Sequence, residues 1–181
     1  EEYINQFATP HSEIPFIGGA IGYCSYELMT EAKNNSVLPK FAMGIYDWGL
    51  VIDHFLQEAY LVTTNADKDT SKNWPTYIEL FSSLKTNNRN DFKVTSIVDD
   101  NLSFEAYRKK FDSVMEFLKE GDCYQINLSK QYKAKVDGDS WQFYKIFRNL
   151  NKSRYMAFLD FTDFEILSGS PERFIQVRDD D

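Results

Sequence analysis

Apolar and polar residues alternate along the first third of the chain in a way that predicts strands. Residues 18–28 combine small and aromatic side chains, and residues 42–54 are rich in aromatic and β-branched side chains. Residues 57–64 alternate again, and the short segment 53–57 before them predicts a hairpin connection. We therefore expect strands, with at least one hairpin, in this part of the chain.

Three stretches predict helices. The strongest runs from the N-cap Ser103 to Gly121, because its apolar residues recur at intervals of 3, 4, 3 and 4 and form one stripe: Phe104, Tyr107, Phe111, Val114 and Leu118. A second amphipathic helix is predicted at residues 140–150. A third is predicted at about residues 74–84, because Pro75 is tolerated only near the first turn of a helix.

The second half of the chain also contains strand patterns. Residues 124–135 alternate between apolar and polar positions, and residues 155–161 and 164–167 predict two further strands. Strands first, followed by helices and strands intermixed, indicate an α+β fold.

The composition fits a folded protein and excludes several functions. Apolar residues make up 43% of the 181 residues, too many for a disordered chain. The net charge of −8 argues against a nucleic-acid-binding protein, and no run of about 18 apolar residues could span a membrane. Cys24 and Cys123 lack a metal-binding spacing, so we expect a reduced, cytoplasmic protein.

Glu172 is the acidic residue that most suggests chemistry. It lies between Pro171 and Arg173, in a Ser-Gly-Ser-Pro-Glu-Arg turn after the last predicted strand. An ion pair with Arg173 would lower the pKa of its carboxyl, whereas a desolvated pocket would raise that pKa toward the working pH of a general acid or base. Spacing alone leaves both interpretations open, and it favours the salt-bridged turn carboxylate.

Other candidate residues have competing structural explanations. Three polar side chains share one face of the strand predicted at 124–135: Gln125, Asn127 and Ser129. They would bind protein groups or a polar ligand if buried, and would form the wet face of an edge strand if exposed. Cys123 has no nearby histidine to activate it and is expected to be a buried thiol. His11 and His54 have no metal-binding or triad spacing.

Four segments together resemble one family, the chorismate-utilising enzymes. They occur in the family's order and cover nearly the whole chain: residues 15–22 with Tyr26, 44–48, 121–129 and 168–174. The last two, Gly-Asp-Cys-Tyr-Gln-Ile-Asn-Leu-Ser and Ser-Gly-Ser-Pro-Glu-Arg-Phe, are the specific signatures. The Tyr-Gln-x-Asn-Leu form is more similar to the aminodeoxychorismate synthase component I branch than to anthranilate synthase.

The resemblance implies a fold and a reaction. The family's large subunit is an α/β sandwich of two facing β-sheets with helices outside. Residues 1–181 would be a single incomplete domain of it, lacking the C-terminal catalytic half. The reaction replaces the C4 hydroxyl of chorismate with ammonia from a glutamine amidotransferase subunit. It gives 4-amino-4-deoxychorismate, a precursor of p-aminobenzoate and folate.

Two alternatives stay open beside this branch. The first is anthranilate synthase component I, which shares the scaffold and serves tryptophan synthesis. The second is a non-catalytic lobe that binds tryptophan or docks the amidotransferase.

The resemblance also assigns residue roles. Glu172 matches the family acid that assists departure of the ring hydroxyl, a poor leaving group that needs a proton. We therefore expect its carboxyl to point into a dry cleft. A nucleophilic lysine and the carboxylates that hold Mg²⁺ would lie beyond Asp181, so the 181-residue chain alone is expected to be inactive.

A tryptophan pocket of the family falls on residues 151–157 and Tyr124. Tyr155 and Met156 agree with the family's Asn-Pro-Ser-Pro-Tyr-Met stretch, whereas Arg154 stands where the family usually has proline. A charged side chain would crowd or polarise the pocket wall, which weighs against L-tryptophan as a ligand of this protein.

Overall fold

The computed structural model describes residues 14–29, 38–83 and 91–177. They belong to two compact units, divided between residues 87 and 88. Both units mix helices and strands, so the predicted α+β class is confirmed. The prediction that residues 1–181 form a single incomplete domain stays a prediction.

The first unit contains two antiparallel strand pairs. Strand β1 (Gly19–Cys24) pairs with β2 (Phe41–Tyr46), and β3 (Trp48–Asp53) pairs with β4 (Glu58–Thr63). The hairpin predicted between β3 and β4 is confirmed, with its turn at residues 54–57. The Asp53 carboxylate stabilises this turn by accepting hydrogen bonds from two backbone N–H groups within it.

Asp47 separates β2 from β3, which the sequence pattern predicted as one stretch. Its side chain is only 8% exposed. One carboxylate oxygen accepts a hydrogen bond from the Asp67 N–H at 3.0 Å, and the other accepts from the Thr70 hydroxyl at 2.8 Å. Its backbone oxygen accepts from the Thr64 N–H at 2.8 Å. A buried carboxylate therefore joins the strand corner to the start of the next helix.

Helix α1 (Lys68–Ser82) follows β4, and the predicted start at Trp74 is wrong. Asp67 caps the helix by accepting a hydrogen bond from the Asp69 N–H at 2.9 Å, and Pro75 lies inside the helix rather than in its first turn. Trp48 of β3 stacks on Tyr77 of α1 with ring centroids 4.5 Å apart. Packing and capping therefore extend the helix past a residue that disfavours it.

The second unit contains the other two predicted helices. Helix α2 (Phe104–Glu120) begins at the N-cap Ser103 and ends at Gly121, whose φ of 81° is the left-handed conformation that glycine adopts without strain. Both predicted caps are confirmed. Helix α3 (Ser140–Asn151) is confirmed as well, with Asp139 as its N-cap.

The strand prediction for residues 124–135 is wrong, because only one of four very short strands, Tyr132–Lys133, lies within that stretch. Strand β5 (Lys93–Val94) pairs with β8 (Val136–Asp137), and β6 (Asp99–Asp100) pairs with β7 (Tyr132–Lys133). Residues 124–131 have no helix or strand. An alternating sequence forms a strand only where a partner strand supplies hydrogen bonds. In this stretch only Tyr132 and Lys133 have such a partner, which is β6.

The last hairpin consists of β9 (Tyr155–Asp160) and β10 (Glu165–Ser170), which confirms the two predicted strands. Helix α3 packs against both strands. Tyr144 of α3 is buried against Trp141 and Phe158, with ring centroids 5.3 and 5.5 Å from its own. This aromatic cluster holds the helix beside the hairpin that carries Glu172.

Candidate active site

The β9–β10 hairpin brings two of the predicted site segments together. In its register Ser170 lies opposite Tyr155, and Gly169 lies opposite Met156. The side chains of Tyr155 and Met156 are half-buried. The turn that leads to Glu172 therefore begins directly beside two residues of the predicted tryptophan pocket.

Glu172 lies in the turn that follows β10. The Ser170 hydroxyl donates to the Glu172 backbone oxygen at 2.9 Å, and the Glu172 N–H donates to the Ser170 hydroxyl at 3.4 Å. Pro171 lies between them and fixes its own φ, so the backbone around Glu172 is restrained locally. The side chain of Glu172 is exposed. The dry cleft expected around this carboxyl is not formed by the described residues, and for them that expectation is wrong.

Arg173 contacts Tyr155 rather than its neighbour Glu172. Its Nε donates to the Tyr155 hydroxyl at 3.3 Å, and its guanidinium carbon lies 5.4 Å from the centre of the Tyr155 ring. Within the described residues Arg173 forms no ion pair with Glu172, which leaves the carboxylate open to another partner. The segment after β10 is thus held against the first residue of β9.

Helix α3 approaches β10 closely at Gly169. A Cβ at this position would overlap the Phe147 ring and the Asn151 side-chain amide. The Asn151 amide nitrogen donates to the Gly169 backbone oxygen at 3.0 Å. The sequence placed Asn151 only in the tryptophan-pocket stretch and did not predict this contact, although an amide at the end of an amphipathic helix, just before a site strand, is a signal for it.

The other signature segment, residues 121–129, forms a loop with defined ends. At its start the Asp122 N–H donates to the Phe117 backbone oxygen at 3.1 Å. Just after its end Lys130 forms a 2.8 Å ion pair with Asp100. This contact lowers the pKa of the Asp100 carboxyl and raises the pKa of the Lys130 ammonium, in each case chiefly through their mutual hydrogen bond.

The three polar side chains predicted on one face of this segment are exposed: Gln125, Asn127 and Ser129. Tyr124, predicted to line the tryptophan pocket, is fully exposed as well. Arg154 is exposed in the turn before β9. The structure thus brings Tyr155 and Met156 to the acid-bearing turn, whereas Tyr124 and Arg154 are exposed to solvent.

The remaining candidates are two cysteines and two histidines. Cys24 is exposed and Cys123, expected to be buried, is half-buried; both are free thiols. His54 is exposed in the β3–β4 turn, and His11 lies outside the described residues.

The described ranges contain no group of three or more His, Cys, Asp or Glu residues that could hold a metal ion. They therefore do not fit a Mg²⁺ site. No described helix is long and apolar enough to cross a membrane.

Residues 2–181 match the family model described as chorismate binding enzyme. The chain belongs to this family. Family membership accounts for the four resembling segments; residues 121–129 are the loop described above, and residues 168–174 are the end of β10 with the turn that follows it.

Relatives from both branches of the family are similar to the chain. The aminodeoxychorismate synthase component 1 of Salmonella typhimurium is 37% identical over 175 residues, covering 93% of this chain and 37% of the relative. The anthranilate synthase component 1 of Lactococcus lactis is 27% identical over 179 residues, covering 91% of this chain and 39% of the relative. The chain thus spans well under half the length of these relatives.

A solved structure supports the fold. The anthranilate synthase component I of Streptococcus pneumoniae superposes with a TM-score of 0.71 at 23% identity, covering 94% of this chain and 43% of that chain. The described α+β arrangement is therefore the chorismate-binding fold.

Proposed function

We propose that the chain is part of an enzyme that aminates chorismate to 4-amino-4-deoxychorismate. The observation that carries this proposal is the 37% identity, over 93% of the chain, to a protein named aminodeoxychorismate synthase component 1. The lower identity of 27% to an anthranilate synthase component 1 supports the same branch. The Tyr-Gln-Ile-Asn-Leu sequence at residues 124–128 also supports it.

Glu172 is the proposed catalytic acid. Its carboxyl would give a proton to the departing ring hydroxyl, which then leaves as water. The restrained turn of Ser170 and Pro171 supports this role, because a general acid must be held within hydrogen-bond reach of the group it protonates. Since Glu172 is exposed in the described residues, desolvation of its carboxyl would come from the part of the enzyme outside this chain.

The other parts of the machinery are proposed to lie outside the chain as well. They are the nucleophilic lysine, which would form the covalent intermediate, and the carboxylates that hold Mg²⁺. The name component 1 supports a second component, which we propose is an amidotransferase that supplies ammonia from glutamine. The two free cysteines support a reducing, cytoplasmic location for the assembly.

The test is the product formed by the full-length protein. Incubation with chorismate, Mg²⁺ and an ammonium salt is expected to give 4-amino-4-deoxychorismate, identified by chromatography and mass spectrometry. Anthranilate as the product would assign the protein to the other branch, which the similarity to anthranilate synthase in sequence and fold makes the second candidate. Absence of both products in the presence of the amidotransferase would contradict an enzymatic role.

A further inference from the structure

We propose that Asn151 is a positioning residue for the turn that carries Glu172. This inference rests on the proposed function, because it assigns a role to Asn151 through the catalytic acid. Asn151 is the last residue of α3, and its side chain bonds Gly169 and Ser153 rather than Glu172. It would act on the reaction by fixing the backbone from which Glu172 projects.

Two hydrogen bonds orient the Asn151 amide. Its nitrogen donates to the Gly169 backbone oxygen at 3.0 Å, and its oxygen accepts from the Ser153 hydroxyl at 3.0 Å. Because the donor faces the strand and the acceptor faces Ser153, only a residue with both groups makes both contacts. An aspartate of the same shape would lose the donor that holds Gly169.

Gly169 makes this contact possible by having no side chain. A Cβ would overlap the Asn151 amide nitrogen and the Phe147 ring, so only glycine allows the end of α3 to approach β10 this closely. The Gly169 oxygen belongs to the peptide that joins Gly169 to Ser170. Ser170 in turn hydrogen-bonds the backbone of Glu172. The chain of contacts from Asn151 to the acid is therefore short and continuous.

The Asn151 side chain is not needed to cap α3. The last turn of the helix is closed by the Lys152 N–H, which donates to the Arg148 backbone oxygen at 3.1 Å. A capping role would require the Asn151 amide to bond a free helix carbonyl, yet its donor goes to the strand instead. The Asn151 amide thus stabilises the β10 backbone and does not terminate the helix.

The opposite side of the turn is held by Arg173 and Tyr155. Asn151 restrains the backbone before Glu172, and Arg173 restrains the backbone after it. A displacement of about 1 Å in a catalytic group can cost roughly a hundredfold in rate, so loss of one restraint should lower turnover without weakening substrate binding.

The test compares Asn151→Asp with Asn149→Asp in the full-length enzyme. Asn149 is exposed on the same helix, so its variant adds the same charge without touching β10. We expect Asn151→Asp to lower kcat for chorismate amination about tenfold or more, with KM within about twofold of the wild type. Asn149→Asp should leave kcat and KM unchanged.

Gly169→Ala is a second variant that tests the same contact, because its methyl group would push the Asn151 amide away from β10. It should reproduce the kinetic pattern even if Asn151→Asp folds poorly. Equal kcat values for the Asn151 and Asn149 variants, or a change confined to KM, would overturn the positioning role.

Hydrogen exchange at the Glu172 amide gives a readout that does not depend on activity. Asn151→Asp should speed this exchange, whereas an unchanged rate would refute the restraint itself. Wild-type protein that aminates no chorismate, or Glu172→Gln that keeps full activity, would instead refute the proposed function. The two failures are therefore distinguishable.

Discussion

Lys130 and Asp100 form an ion pair that holds the end of the 121–129 loop in place. Their 2.8 Å contact immediately follows the 121–129 segment, and the ammonium of Lys130 also lies 5.2 Å from the centre of the Tyr132 ring. The backbone beside them is paired as well, because the Gln131 N–H donates to the Asn101 side-chain oxygen at 3.0 Å. The end of the loop is therefore restrained by charge and by hydrogen bonds.

The stabilisation from this ion pair depends on pH in a defined window. The pKa of Asp100 is lowered from 3.8, so its contribution is present above pH 3.8 and is lost as the pH falls through the lower folded value. The pKa of Lys130 is raised from 10.5, so its contribution is present below pH 10.5 and is lost as the pH rises through the higher folded value. The pair therefore contributes fully between about pH 4 and 10.

We predict that Asp100→Asn destabilises the full-length protein at neutral pH, and that the difference from wild type shrinks in acid. Urea midpoints measured from pH 3 to 8 would test this, with the neighbouring Asp99→Asn as the matched control. The effect should be modest, because both partners lie near solvent. A difference that grows as the pH falls below 3.8 would contradict the assignment.

The sequence predicted a turn that carries Glu172 but not the surroundings of this residue. Pro171 predicts the turn correctly, but Ser168, Gly169 and Ser170, which the sequence placed in that turn, form the end of β10. Exposure depends on groups distant in sequence, and neither the Arg173 ion pair nor the dry cleft is present in the described residues. The contact of Asn151 with Gly169 was missed for the same reason, since the two residues lie 18 positions apart.

At the scale of elements, local signals predicted α2 and α3 well and α1 badly. Ser103 and Gly121 are strong caps, so the ends of α2 follow from the sequence. Helix α1 instead begins at Lys68, directly after its N-cap Asp67, whereas the prediction had taken Pro75 as a sign of the first turn. The stacking of Trp48 on Tyr77 is a tertiary contact that no local pattern contains.

Asp47 joins three elements of the first unit, and its removal should weaken all of them. Asp47→Ala would leave the Asp67 N–H and the Thr70 hydroxyl without their acceptor in a buried site. We predict that the opening free energy of the first turn of α1 falls by about 2–4 kcal/mol, measured by amide hydrogen exchange in the full-length protein.

Asp53→Ala is the control, because it removes two hydrogen bonds from an exposed turn of the same unit. Its effect on α1 should be close to zero, since Asp53 does not contact that helix. Equal losses of protection in the two variants would show that Asp47 has no special role at the strand corner.

At the scale of the whole molecule, the described residues expose many large apolar side chains. Tyr144 is the one hydrophobic residue that is buried in the described ranges, whereas Phe104 of α2 is 71% exposed and Ile146 of α3 is 54% exposed. Exposed apolar surface of this extent marks faces that pack against other groups. The chain spans 37% of the length of the Salmonella typhimurium relative.

We predict that the isolated 181-residue polypeptide forms no 4-amino-4-deoxychorismate and binds an apolar dye. Its exposed aromatic and aliphatic side chains should raise the fluorescence of 8-anilinonaphthalene-1-sulfonate well above that of the full-length protein. Product formation would be followed by chromatography beside the full-length enzyme. Turnover by the isolated polypeptide would contradict the proposal that further catalytic groups lie outside it.

The central claim is that Glu172 is the acid of chorismate amination, and the turnover number of Glu172→Gln tests it most directly. In the full-length enzyme at saturating chorismate and ammonium, this variant should lose about 100-fold or more in kcat, because glutamine has no proton to give. Glu165→Gln, at the other end of β10 and also exposed, should stay within about twofold of the wild type. A Glu172→Gln variant as active as Glu165→Gln would contradict the claim.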